Sequence, residues 1–314
     1  MMGNMSAAQQ SACLGVLQAI LSAEGYTRVI GEWQADDPNA VFEASAAASG
    51  AGGAPGGAGR TPQAGGTPGA GGAARTPPAG GAPGAGGGGA VSFGTPYYFA
   101  AIIGTPSVTD PWQWQWGGHH VTVNATIVGQ NIALTPSFIG VQPVQYTNTS
   151  SQTVRPLGDI EDDAFALLAS LDATQQQAAV LGGSVIDLVL GPGQDGKTIQ
   201  AEGLPASRMN ATQQAALLKL IGHYTGLAAG AYAASRNAEI QANLAQTSLA
   251  WYGPTAKGNP AYFRVTGPTV VIEYSPQAVT GAGAIAAGAY HVHGIYRDPT
   301  NDYGSKFTGL KVGS

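Results

Sequence analysis

The sequence predicts an α+β fold: a mainly antiparallel sheet with an N-terminal helical part and a helical middle section, in a single domain. Three observations lead there. Strand-like runs gather in two blocks, near residues 97–138 and 248–296, with helix-patterned sequence between them. Strands grouped apart from helices favour an antiparallel sheet over alternating βα units. Each block also holds a hairpin signal: TIVGQNIALTPSF turns at Gly129-Gln130-Asn131, and VTGPTVVIEY turns at Gly267-Pro268.

The elements follow in order. Residues 6–24 read as a helix, because Ser6 and Gln9 form a capping box and Leu14, Leu17, Ile20 and Leu21 recur at helical spacing. Residues 44–90 are almost entirely Gly, Ala, Pro and Thr. Such a segment buries too little apolar surface to offset its ordering entropy. It is expected to be a low-complexity insertion, a surface tether or a self-assembly element. Strand-like runs then appear at Tyr97–Ile103, His119–Val128, Ile132–Phe138, Ser248–Tyr252, Tyr262–Thr266, Thr269–Tyr274 and Tyr290–Tyr296. The helical middle runs from Ile160 to Leu171 and on through Ala245, with capping boxes expected at Thr174/Gln177 and Asn210/Gln213. The organisation is therefore an N-terminal helical part at 1–43, an insertion at 44–90, and an α+β core at 91–314.

Composition excludes several classes. Without the insertion, roughly 265 of the 314 residues remain, enough for one sizeable core. The net charge is −5, only 10% of residues are charged, and Lys and Arg are scattered. A nucleic-acid partner is not expected without a basic stripe. No apolar run reaches the ~20 residues of a transmembrane helix. The single cysteine, Cys13, permits no intrachain disulfide and no Cys-rich metal site, and reads as a small buried hydrophobe. The N-terminus lacks the basic-then-apolar order of a signal peptide. Low charge and Gly/Ala/Thr richness fit a secreted or periplasmic location with the leader removed.

The chemistry concentrates in histidine. Four of the five histidines stand in two short clusters, His119-His120 and His291/His293. Imidazole is the commonest protein ligand for zinc, copper and iron. His291 and His293 are two apart on a strand and so share a face. If the first cluster lies on a continuous strand, Trp116, Gly118, His120, Thr122 and Asn124 share one face, while His119 heads an apolar one. The expected ligands are therefore His120, His291 and His293, with His119 beside them and Asn124 available to substrate. Three imidazoles with an open position make a catalytic kind of site. The cofactor expected is a divalent metal ion, zinc first, with copper or iron as alternatives. Histidines bonded within a core are the competing reading.

Other candidates surround these. Glu273 could supply a carboxylate from a third strand, and Glu273 or Asp298 could act as base or orient a ligand histidine. Arg297 could clamp a substrate carboxylate, or pair with an aspartate at the turn near Pro299. Trp112, Trp114 and Trp116 could line a cleft or cover a core. His223, among Leu220, Ile221 and Tyr224, reads as structural. Asn124, Asn148 and Asn210 begin glycosylation sequons that mean nothing without a eukaryotic secretory context. GPGQDGKT at 191–198 matches the phosphate-loop pattern letter for letter. That chemistry needs a helix starting at Lys197. The continuation TIQAEGLPAS is a poor helix, so a polar surface turn is expected.

The blocks YYFAAIIGTPS, DPWQWQWGGHHVTVNATIVG, LTPSFIG, EGLPASRMNATQQAALLKLI and HVHGIYRDPTNDYG resemble, in order, those of domain-of-unknown-function family 3500. The resemblance runs from the first helix to Gly304, outside the insertion, and the two His blocks are its most specific parts. It implies that these blocks belong to one fold, and it implies no reaction. The function expected is a metal-dependent enzyme of unknown small-molecule or polymer substrate, most simply a zinc hydrolase. A copper or non-haem iron oxidase or oxygenase is the second expectation, and a non-enzymatic secreted binding or assembly protein the third.

Overall fold

The computed structural model describes residues 1–48, 93–277 and 291–309. The expected insertion lies almost wholly outside the described residues, as does Tyr290. The first residues assigned to the insertion, 44–48, instead continue a helix.

The N-terminal part is two helices rather than one. α1 (Ala7–Ile20) opens on the Ser6/Gln9 capping box. The chain breaks at Leu21-Ser22, where Ser22 Oγ accepts from Gly25 N–H and donates to Gly226 O. There α2 (Ala23–Ala48) begins. Its buried stripe holds Arg28, Val29, Glu32, Ala35, Asp36 and Asn39. Those positions have helical spacing, but most are polar.

The strands of the first block are β1 (Phe99–Ile103), β2 (Trp112–Gly117), β3 (Thr122–Val128), β4 (Asn131–Ala133) and β5 (Ser137–Val141). A short hairpin, β6 (Tyr146–Thr147) with β7 (Thr153–Val154), stands apart. The helical middle holds α3 (Gly158–Ser170), α4 (Ala173–Ala179), α5 (Ala211–Thr225) and α6 (Gly230–Ala242). It is interrupted by β8 (Val180–Gly182) and β9 (Leu204–Pro205). The second block is β10 (Ser248–Tyr252), β11 (Tyr262–Gly267), β12 (Val270–Gln277) and β13 (His291–Arg297), followed by the short α7 (Ser305–Thr308). Asn210/Gln213 caps α5 as expected. The cap of α4 is Asp172/Gln175, two residues earlier than expected.

All the strands except β6 and β7 form one 11-stranded sheet, with path β1-β2-β3-β5-β13-β12-β11-β10-β8, β4 on β3 and β9 on β10. Only β8 runs parallel to its neighbour. The fold is thus α+β, with the mainly antiparallel sheet the sequence predicts. The run Ile132–Phe138 is two strands, broken around Pro136, which has no N–H for a ladder.

Alternation along the strands gives the sheet two different faces. One face is apolar. Ile139, Val292, Ile272, Phe263 and Trp251 pack on Leu168, Leu217, Ile221 and Ile240 of the middle helices. Trp114, Trp116, Val123 and Ala125 extend this face beneath Leu17 and Val29 of α1 and α2. The other face carries Asn124, Phe138, Gly140, Glu273, Ser275, His293 and Arg297, as the register requires. Part of it is covered by the segment 183–203, which contains no helix or strand.

Candidate metal centre

The sheet is weakly joined at one place, and the histidines gather there. β3 and β5 share a single paired position, Thr122↔Phe138. Beyond it the chain of the β2–β3 hairpin turns through Gly118–Val121, closed by Gly118 N–H donating to Val121 O (3.0 Å). His119 and His120 lie in this turn, not on the continuous strand the alternation suggested. The parity argument therefore fails at the turn: Trp116 pairs with Val123 on the apolar face, and Asn124 pairs with Gln115 on the other.

α2 fills the gap between the parting strands. Glu32 Oε2 accepts from Gly140 N–H at 2.9 Å, and Asp36 Oδ1 lies 2.5 Å from His120 Nδ1. Both acids are buried. Burial raises the Glu32 carboxyl to about 8 and the Asp36 carboxyl to about 6. Glu32 Oε1, Asp36 Oδ2, both side-chain atoms of Asn39 and the Tyr98 hydroxyl are buried without a well-formed hydrogen bond.

On the sheet side, Ser275 and Gln277 of β12 pair with His293 and His291 of β13. Gly140 faces them from β5. A β-carbon there would stand 2.8 Å from His120 O and 3.1 Å from the His293 ring. The position must be glycine for the rings to approach.

His119, His120, His291 and His293 consequently converge, with one ligand nitrogen from each all within 4.8 Å of one another, a group that could hold a metal ion. His291 Nε2 is 2.9 Å from His120 Nε2 and 2.8 Å from His293 Nε2. His120 and His291 are buried, while His119 and His293 are half-buried. Burial holds the His119 ring below the usual imidazole range, His120 well below it, and His293 down to about 2. Burial thus favours the neutral ring, the form that can donate a lone pair.

The centre opens into a cleft of about 870 Å³, whose lining includes His119, His293, Asn124 and Phe138. The other expected site residues stand elsewhere. Glu273 is on the same face, but its carboxylate accepts from Val189 N–H (2.8 Å), Leu190 N–H (2.7 Å) and the Tyr262 hydroxyl (2.5 Å). Asp298 binds Thr300 (2.7 Å) and Arg236 (2.9 Å). Arg297 lines the cleft, but it donates to Leu190 O (2.9 Å), Asp195 (2.9 Å) and Asp302 (3.1 Å). It fastens the cleft wall, as the pairing reading expected, and has little left for a substrate carboxylate. Trp114 and Trp116 are core residues, and Trp112 packs partly buried beside them. The phosphate-like stretch is a pair of turns with no helix at Lys197. His223 bonds Asp163 at 2.7 Å within the helical layer. Sequence reasoning missed Glu32 and Asp36; their i,i+4 spacing among Val29 and Ala35 was the available signal.

The fold and the centre define an α+β protein with a four-histidine cluster at a cleft on the sheet face opposite the helices. The chain belongs to the family of proteins of unknown function designated DUF3500, whose profile matches residues 1–305. No curated protein and no solved structure matches it.

Proposed function

We propose that this protein is a metal-dependent enzyme whose ion is held by His120, His291 and His293, with His119 at its side. One observation carries the reading. Asp36 Oδ1 lies 2.5 Å from His120 Nδ1, and an ionised carboxylate there puts the hydrogen on that nitrogen and leaves Nε2 a lone pair for the centre. His291 Nε2 then faces two ring nitrogens at 2.9 and 2.8 Å. A neutral His291 has one hydrogen or one lone pair there, and matches only one neighbour properly. A shared cation satisfies all three. Two nitrogens ~2.0–2.1 Å from one tetrahedral zinc are ~3.3–3.4 Å apart, so the 2.9 and 2.8 Å pairs would open by about half an ångström around the ion.

Zinc is the simplest occupant, and when bound it would bring the pKa of a coordinated water to about 7 and so supply a hydrolytic nucleophile. The chain's own residues do the positioning. Asp36 fixes the tautomer and orientation of His120, the arrangement that metal-bound histidines commonly show. Glu32 holds the Gly140 backbone against the rings. The helices close the centre from behind and leave the cleft as its approach.

A copper redox enzyme is the second reading. The cluster is all imidazole, which favours Cu²⁺ on affinity. The iron variant wanted a carboxylate from Glu273, which is committed to Val189, Leu190 and Tyr262.

The test is a hydrolysis screen on the full chain, chelated and then reloaded with Zn²⁺ or Cu²⁺, beside His293→Ala. Turnover that returns with Zn²⁺ and is absent in the variant supports the hydrolase. Oxygen consumption that returns only with Cu²⁺ supports the redox reading. Activity indifferent to chelation and to the variant removes both.

A further inference from the structure

The cleft above the centre has its own chemistry, and it bears on what is bound there. We propose that it takes a neutral, polyhydroxylated ligand, an oligosaccharide rather than an acid or a cation, a reading that rests on the same cleft as the metal proposal.

Charge comes first. Among the described residues, Arg297 is the only arginine or lysine lining the cleft, and its guanidinium is held by Leu190 O, Gly191 O, Asp195 and Asp302. Among the described side chains an anionic ligand would find no free cation there, so the ion proposed at the centre is the one positive charge it could meet. The carboxylates are partly answered as well. Asp195 accepts from Arg297 and from the Tyr303 hydroxyl (3.1 Å). Asp187 Oδ1 accepts from Leu188 N–H (2.7 Å) and Gln277 Nε2 (2.8 Å). The arginine thereby offsets the charge of Asp195.

What remains are acceptors. Asn124 commits its N–H to Pro136 O at 2.7 Å and keeps Oδ1. Gln277 donates to Asp187 and Ser275, and its Oε1 has no donor among the described residues. Among the described residues, the second oxygen of Asp187 has no donor. Carbonyl and carboxylate oxygens set around a cleft match hydroxyl donors. Two aromatic faces complete the match. Phe99 is 44% exposed at the rim, and Phe138 lies half-buried against His293, their ring centroids 5.0 Å apart. Sugar rings present C–H faces to such rings and hydroxyls to the oxygens between them. The volume, about 870 Å³, is at the upper end of the ~300–1,000 Å³ range of small-molecule sites, which suits an oligomer better than a single ring.

The experiment is retention of the full chain on an array of hexamers of equal length: neutral glucan, xylan and N-acetylglucosamine, anionic galacturonate, and cationic glucosamine. At least one neutral hexamer should be retained above both charged ones, and Phe99→Ala and Asn124→Ala should each weaken that retention roughly fivefold or more. Best retention of a charged hexamer, retention of no neutral one, or indifference to both variants overturns the proposal. Metal content is read on the same preparations. Sugar bound without metal breaks the metal reading alone; metal held without sugar breaks this one alone.

Discussion

The two ends of β13 carry equally polar sequence and do opposite things. At its start, His291 Nε2 faces the Nε2 atoms of His120 and His293 at 2.9 and 2.8 Å, three imidazole nitrogens turned toward one point. At and just past its end, Arg297 is matched to Leu190, Gly191, Asp195 and Asp302, and Asp298 is bonded to Thr300 and ion-paired with Arg236. A buried polar group left unmatched is costly, whereas a matched one holds structure together. The same strand therefore shows which polar residues were kept for a ligand and which for the fold. Behind the histidines, Glu32 and Asp36 of α2 each spend one oxygen on the centre, on Gly140 and on His120.

The contrast can be broken at either end. The largest effect is expected at Arg297. Arg297→Met leaves Asp302 and the 190–195 backbone without their partner, and should cost about 3–5 kcal/mol in chemical denaturation. Molecules that remain folded should bind metal as before. Metal lost in proportion to stability would merge the two ends into one structural cluster. Next is Gly140→Val, whose side chain would meet His120 O and the His293 ring. A stability cost of about 1–3 kcal/mol should accompany a loss of metal affinity in titration calorimetry. Unchanged affinity would mean that the rings need not approach this closely.

Asp36→Asn tests the link from α2. It should lower metal affinity about 10–100-fold, roughly 1.4–2.7 kcal/mol, by loosening the hold on the His120 tautomer. An unchanged affinity would leave Asp36 as a packing residue. The smallest effect is expected at Lys197, which is exposed and bonds only Gln194 among the described residues. Lys197→Ala should alter stability by less than about 0.5 kcal/mol and leave metal binding untouched. Measurable ATP binding in the native protein, lost in this variant, would restore the phosphate-loop reading.

The sheet and the His pairing were legible because both rest on local signals: alternation, hairpin turns and the clustering of a rare residue. The acids behind the histidines were not. The buried stripe of α2 reads Arg28, Glu32, Asp36, Asn39, and a hydropathy pattern looks for apolar residues there. Alternation also misplaced His120, because a tight turn at Gly118–Val121 resets parity, and the Gly117-Gly118 pair was its one local mark. Glu273 and Arg297 looked available because their partners, Val189, Leu190 and Asp195, lie some eighty to a hundred residues away in the chain. Long-range contacts of that kind leave no trace in local pattern.

The most direct measurement is elemental analysis by plasma mass spectrometry of untagged protein, alongside His120→Ala and the double variant His291→Ala/His293→Ala. About one equivalent of a single metal per chain, absent from both variants while their circular dichroism stays native, is the result expected, and the element found separates zinc from copper. Native protein that holds no metal after incubation with Zn²⁺ and Cu²⁺, or variants that retain a full equivalent, would contradict the account.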